Sequence, residues 1–206
     1  MEGVWVCIVE GDGEAGSTQP GSKIEGAVRL LLPRIVHHKW QRYIQFKSYN
    51  ASGRGNLTRK GGIEHFLKRA FREPNLKAIL IALDAETDCA AKISQELADR
   101  ARRLAPRIPV TVVVANKCYE AWLISGLCLS DTPEGIAPGK AKKILDEEVR
   151  KRGIGTAYAE TLHQMRLTDQ MSLGMAYRRC RSFRRFVKAV GQLLDAIDNQ
   201  ATIVTP

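Results

Sequence analysis

Much of what would classify this 206-residue chain at a glance is missing. Its five cysteines, Cys7, Cys89, Cys118, Cys128 and Cys180, are odd in number, widely spaced and never arranged Cys-x-x-Cys. Neither a disulfide framework nor a zinc ribbon is supported by that usage. Cys7 sits inside an apolar run and reads as buried filling, while Cys89 stands beside an acidic cluster. No apolar run approaches the ~20 residues that cross a bilayer. The opening residues Met1-Glu2-Gly3-Val4 lack the basic flank and longer apolar core of a signal peptide, so no membrane association and a cytoplasmic location are expected. Gly11-x-Gly13 lacks the third glycine and the following helix of a dinucleotide fingerprint, and no Walker Gly-Lys-Ser/Thr occurs. His37, His38, His65 and His163 show no i, i+4 zinc spacing and read as surface or helix-face side chains.

What remains is an ordinary globular balance, 44% hydrophobic and 26% charged, enough for a sizeable core. The charge is not balanced. Lys and Arg number 32 against 22 Asp and Glu, a net charge of +10. Such an excess favours polyanionic partners, because phosphate contacts release condensed counterions. Solvation of helix faces is the plainer use of the same residues.

Val4-Trp5-Val6-Cys7-Ile8-Val9, Ala78 to Leu83 and Val110 to Ala115 are continuous apolar runs, the pattern of strands buried on both faces. A further strand is expected near 41–48, where Ile44, Phe46 and Ser48 alternate with polar neighbours. Between the strands, apolar residues recur at three- and four-residue spacing: Ile24 to Ile35, Ile63 to Phe71, and Ile93 to Leu104. Pro33 should kink or shorten the first of these helices. The stretches 15–22 and 51–56 read as loops. Beyond residue 116 the pattern is helical, with helices expected at 117–129, near 139–152 and near 182–198. The whole predicts an α/β fold, a mainly parallel four-stranded sheet flanked by helices with a helical C-terminal third. A soft boundary near 130–138 separates a core of residues 1–130 from an extension of residues 131–206 that packs back on it.

In such sheets ligands bind beyond the carboxyl ends of the strands. The first strand ends in Glu10, the 78–83 strand ends in Asp84, and Glu120 follows the 110–115 strand by one helical turn. Clustered carboxylates without basic partners stay ionised only beside a cation or with shifted pKa values. Hard Mg²⁺ or Mn²⁺ ions take oxygen ligands, and such ions can clamp a scissile phosphate. In Asp84-x-Glu86-x-Asp88 an extended or turning backbone would aim all three carboxylates one way. Each has a plainer reading: Asp88 as a cap of the next helix, Glu10 as a strand-end acid facing solvent. Glu14 and Lys117 are secondary candidates, Lys117 for a phosphate. Arg178, Arg179, Arg181, Arg184, Arg185 and Lys188 form the densest basic run, a cationic helical face for nucleic acid or an acidic partner, or a solvated face. Trp122 reads as core.

Val9-Glu10-Gly11-Asp12-Gly13-Glu14, Leu83 to Cys89, Ala115 to Trp122 and Arg181-Ser182-Phe183 resemble, in that order, motifs of the bacterial domain-of-unknown-function 4276 family. That family is similar to the TOPRIM fold of topoisomerases, primases and nucleases of the overcoming-lysogenization-defect type. The resemblance spans nearly the whole chain. It implies that Glu10 is the first metal-binding acid and Asp84 with position 86 the later acidic pair, binding Mg²⁺ or Mn²⁺ for phosphodiester chemistry. Position 86 is Glu where the family pattern has Asp, and the 15–22 loop is longer than its usual direct passage into the helix. The expectation is therefore a metal-dependent nuclease, an anti-phage effector cutting DNA or RNA. Glu10, Asp84, Glu86 and Asp88 would ligate metal, and Glu120 would act as ligand or general base. The alternative is a non-catalytic subunit docking an ABC-type ATPase; homo-oligomerisation and a primase-like transferase stay open.

Overall fold

The apolar runs at 4–9, 78–83 and 110–115 all become strands in the computed structural model, which describes residues 3–11, 13 and 26–206. The loop expected at 15–22, Ile24 and Glu14 lie outside the described residues. Strands β1 (Val4–Val9), β2 (Gln45–Asn50), β3 (Leu76–Asp84), β4 (Val110–Ala115) and β5 (Val204–Thr205) form one sheet in the order β2-β1-β3-β4-β5. All four pairings are parallel, in registers such as Val9↔Asn50, Val9↔Ala82 and Asp84↔Ala115. The expected four strands are thus joined by a fifth, two-residue strand, too short to leave a pattern in the sequence. The Thr111 and Thr205 hydroxyls are bonded at 2.9 Å across it.

The helices cover both faces, and the alternation of side chains along β1 shows why. Trp5, Cys7 and Val9 face one layer, built from α1 (Ala27–Trp40) and the C-terminal helix. Val6 and Ile8 face the other, built from α2 (Arg54–Thr58), α3 (Gly62–Ala70) and α4 (Ala90–Arg102). Residues buried on both sides account for the unbroken apolar runs. The first helix is not shortened by Pro33. It runs to Trp40 and ends where Gln41 turns left-handed and donates its N–H to the His37 carbonyl. Pro33 and Arg29 are both exposed, so the carbonyl that loses its partner faces water rather than core.

The last third is α5 (Glu120–Gly126), a 3₁₀ turn (Pro133–Gly135), α6 (Pro138–Lys151), a π-helical turn (Glu160–Gln164) continuing into α7 (Met165–Gln170), then α8 (Leu173–Arg179) and α9 (Arg181–Asp198). These pack on the α1 face, in one apolar cluster that runs from Trp5 and Leu31 to Phe183 and Leu194. Trp122 is core: its indole N–H donates to Ser182 Oγ at 2.8 Å and Phe183 meets its ring edge-on. Two expectations need correction here. The polar stretch 51–56 is not all loop, because α2 begins at Arg54. The basic run 178–188 is not one helical face, because Cys180 is extended (φ −120°, ψ 114°) and divides it between α8 and α9. Among the described residues no helix is long and apolar enough to cross a membrane.

Candidate functional site

With the order β2-β1-β3-β4-β5, the connections leave β1 to one side and β3 to the other, so the strand order reverses between β1 and β3. A crevice opens at the carboxyl ends of strands at such a point. Glu10 and Asp84 stand there. The Asp84 backbone N–H donates to Glu10 Oε2 at 3.1 Å, tying the first acid to the backbone of the second. The loop after β2 closes the other side: Ala51 N–H donates to the Val9 carbonyl at 2.9 Å and Gly53 N–H to the Glu10 carbonyl at 2.8 Å. Gly53 makes that turn at φ 113°, a backbone that side chains resist. Burial raises the Glu10 carboxyl above its ordinary range. The Asp84 N–H opposes that rise, Glu86 adds to it, and Arg54 lessens it through its backbone N–H and its charge.

Arg54, delivered by that turn, is the residue that the sequence reading missed. Its guanidinium pairs with Asp88 and reaches Glu86 Oε2 at 3.5 Å. The hydrogen bond to Asp88 is the main reason its own pKa is raised. The acids are therefore not without a basic partner. The signal was present, since β2 neighbours β1 and the loop after β2 must end beside Glu10; a lone arginine between two glycines did not advertise it.

Of Asp84, Glu86 and Asp88, the last two share one partner, Arg54. Asp84 ends the strand, whereas Glu86 turns left-handed at φ 52° and donates its N–H to the Lys117 carbonyl at 2.7 Å. Lys117 is itself left-handed at φ 73°. Glu86 and Asp88 are exposed and turned to Arg54, whose charge also reaches Glu10. Asp88 does not act as the cap of α4; that position is Cys89, whose exposed thiol is shifted down mainly by the Lys92 and Ala91 backbone N–H groups.

Glu120 opens α5 and is only 3% exposed. Tyr158 Oη donates to its Oε1 at 3.3 Å, and the Cys118 thiol is a second partner. Burial raises its carboxyl above the ordinary range, and the Glu160 charge adds to this while Lys142 opposes it. Lys142 is paired with Glu160 at 2.6 Å. Burial pushes the Cys118 thiol up, and the Glu120 and Asp84 charges add to the rise. Glu120 is a buried acid behind the crevice and not an open ligand. His163, expected on a surface or a helix face, sits in the π-helical turn and is buried: Nδ1 accepts from Ala159 N–H at 2.9 Å and Nε2 meets the Ile154 carbonyl at 3.2 Å. Its role is to hold the turn before Tyr158 and the π-helical segment together.

Arg178 and Arg179 sit on α8, Arg179 pairing with Asp131 at 3.2 Å; Arg181, Arg184, Arg185 and Lys188 sit on α9. Among the described residues no trio of His, Cys, Asp or Glu converges as a ready metal cage. The donor set still suits a hard ion in a smaller form. Mg²⁺ is commonly held by one or two carboxylates, its remaining positions going to water and substrate phosphate, and Glu10 with Asp84 supplies two oxygen-donor side chains at neighbouring strand ends. Comparison of the chain with protein-family models, with curated proteins and with solved structures found no match in any of the three.

Proposed function

We propose that the chain is a Mg²⁺- or Mn²⁺-dependent nuclease, cleaving phosphodiester bonds of DNA or RNA at the carboxylate edge between β1 and β3. The observation that carries this reading is the Glu10–Asp84 pair at the point of strand reversal, on a molecule with a net charge of +10. The resemblance of the strand-end motifs to the TOPRIM-like family supports the same chemistry, and with it an anti-phage role beside an ATPase partner in the cytoplasm. Glu10 and Asp84 would hold the ion, which would supply charge neutralisation at the phosphate and an acidified water. Arg54, over the same edge, would meet the anionic substrate as its guanidinium leaves Glu86 and Asp88. Glu120, with its raised pKa and its Tyr158 and Cys118 partners, would hold or release a proton behind the crevice. Lys117 stands at the rim, where a phosphate passing over Glu86 would find it.

The test is cleavage of single- and double-stranded DNA and RNA with Mn²⁺ or Mg²⁺, alongside calorimetric titration of Mn²⁺. Cleavage and Mn²⁺ binding should both disappear in Glu10→Gln and Asp84→Asn. Retention of either in both variants would sink the proposal. A second reading has one observation in its favour: Arg54 already neutralises Glu86 and Asp88, as a site that never takes up metal would require. It predicts a regulatory subunit in which the two variants keep full biological activity.

A further inference from the structure

The outward face of α9 carries Arg181, Arg184, Arg185 and Lys188 at spacings of three and four residues, one stripe opposite the buried Phe183, Phe186, Val187 and Val190. Across from it stand Lys39 and Trp40, at the end of α1, and Tyr177 of α8, and together they line a cleft of about 560 Å³. Tyr177 is 43% exposed. The Lys39 ammonium lies 4.8 Å from the Trp40 ring centre and 5.7 Å from that of Tyr177. A second groove, about 410 Å³, runs between α9 and the start of α4 and shares Arg185, Lys188 and Gln192 with the first. Its α4 wall is Ala90, Ala91, Ser94 and Gln95, the first of them directly after Cys89. Arg185 is close enough for its charge to reach the Cys89 thiol. The two grooves thus adjoin along α9, one reaching Tyr177 and the other the start of α4, which follows directly on the loop carrying Asp84, Glu86 and Asp88.

The cations along α9 stand without acidic partners among the described residues. Among the described residues no carboxylate pairs with Lys39, Arg181, Arg184, Arg185 or Lys188, whereas Arg42, Arg102, Arg152 and Arg179 each have one. Asp195, at the far end, is the acid that lines the cleft. Unpaired cations in a row suit a phosphate backbone, and an exposed ring among them suits a stacked base. Bases are free to stack on a side chain only when they are unpaired. A duplex would use the cations and leave the ring idle.

We propose that these adjoining grooves bind single-stranded nucleic acid, its phosphates along the α9 stripe and a base on Tyr177, and lead the strand to the Glu10–Asp84 edge. The inference rests on the nuclease reading only for its last clause; binding itself needs neither metal nor cleavage. The experiment is fluorescence anisotropy of the full chain with a labelled homopyrimidine strand and with the matching duplex, in EDTA, across a salt series. Tyr177→Ala should weaken single-strand binding about tenfold, leave duplex binding unchanged, and be rescued by Tyr177→Phe. The triple variant R181Q/R185Q/K188Q should lower the salt-dependence slope for the single strand by about 2. Arg184 is left in place because it donates to the Tyr177 and Arg178 carbonyls that end α8. All the substituted side chains are exposed, and an unchanged circular dichroism spectrum will show that the variants fold. Equal loss of strand and duplex in Tyr177→Ala, an unchanged salt slope in the triple variant, or no binding at low salt would each overturn the proposal. Binding that behaves as expected without any cleavage leaves the track standing and removes the nuclease; cleavage that ignores both variants removes the track alone.

Discussion

Glu10 and Glu120 are two carboxylates with one tendency and different settings. Burial raises both, but Glu10 is half-buried and meets backbone N–H groups at a strand end while Glu120 meets a phenol and a thiol inside the protein. A raised carboxyl pKa means that the native state keeps a proton the unfolded chain has already lost. Stability therefore falls as pH rises from the ordinary carboxylate range through the raised value. Glu120→Gln removes that fall while its amide oxygen still accepts from Tyr158. The thermal midpoint of the variant should be higher than that of the parent at pH 8, and the gap should narrow toward pH 4. A variant less stable than the parent at pH 8 would show that Glu120 is held as a well-solvated anion after all. The identity and position of these acids were legible in the sequence, because apolar strands stop at them. Their environments were not. Arg54 is thirty positions from Asp84 and meets its neighbours only through the β1–β2 pairing, and the burial of Glu120 depends on Tyr158 from another element.

Elements with a strong period were readable, and those held by a single contact were not. Strand β4 and helix α9 fall where their apolar patterns put them. The break at Cys180 could not be read, because residues 178–188 keep helical spacing throughout; what divides them is Glu134. Its carboxylate accepts from the Ser182 N–H at 2.6 Å and the Arg181 N–H at 3.0 Å, starting α9 afresh with an anion at its positive end. Burial pushes this carboxyl up, but the hydrogen bonds from Ser182, Cys180 and Arg181 outweigh it and hold the pKa low. The contribution is present above the ordinary carboxylate range and is lost as pH falls through the lowered value. Glu134→Ala should thus cost about 1–2 kcal/mol in urea denaturation at pH 7, and the cost should shrink as pH falls below the ordinary carboxylate range. A cost independent of pH would assign the effect to packing instead of charge. The π-helical turn and β5 were equally invisible, one lacking a period of its own and the other too short to show one.

On the scale of the whole molecule, the boundary near 130–138 is a change of secondary structure rather than a break in the core. Trp5 on β1 and Phe186 on α9 belong to the same apolar cluster, and Trp122 packs against Phe186 with ring centres 5.0 Å apart. Phe186→Ala should accordingly cost about 3–5 kcal/mol. It should also leave one transition, with tryptophan fluorescence and circular dichroism coincident. Two separated transitions would mean that the helical third unfolds as its own unit. This shared core also fixes where the basic stripe can lie: α9 buries one side on β4 and β3, so its cations must face the cleft with Lys39 and Tyr177.

The hydrogen bond from the Asp84 backbone to Glu10 has one more consequence. A main-chain N–H at the end of β3 is satisfied by a side chain whose charge changes with pH and would change again with any bound cation. Its amide resonance and its hydrogen-exchange rate are therefore a built-in gauge of the crevice, needing no label, substrate or turnover. One peak, followed through a pH series and then a Mn²⁺ or Mg²⁺ series, reads the state of the first acid from the backbone of the second.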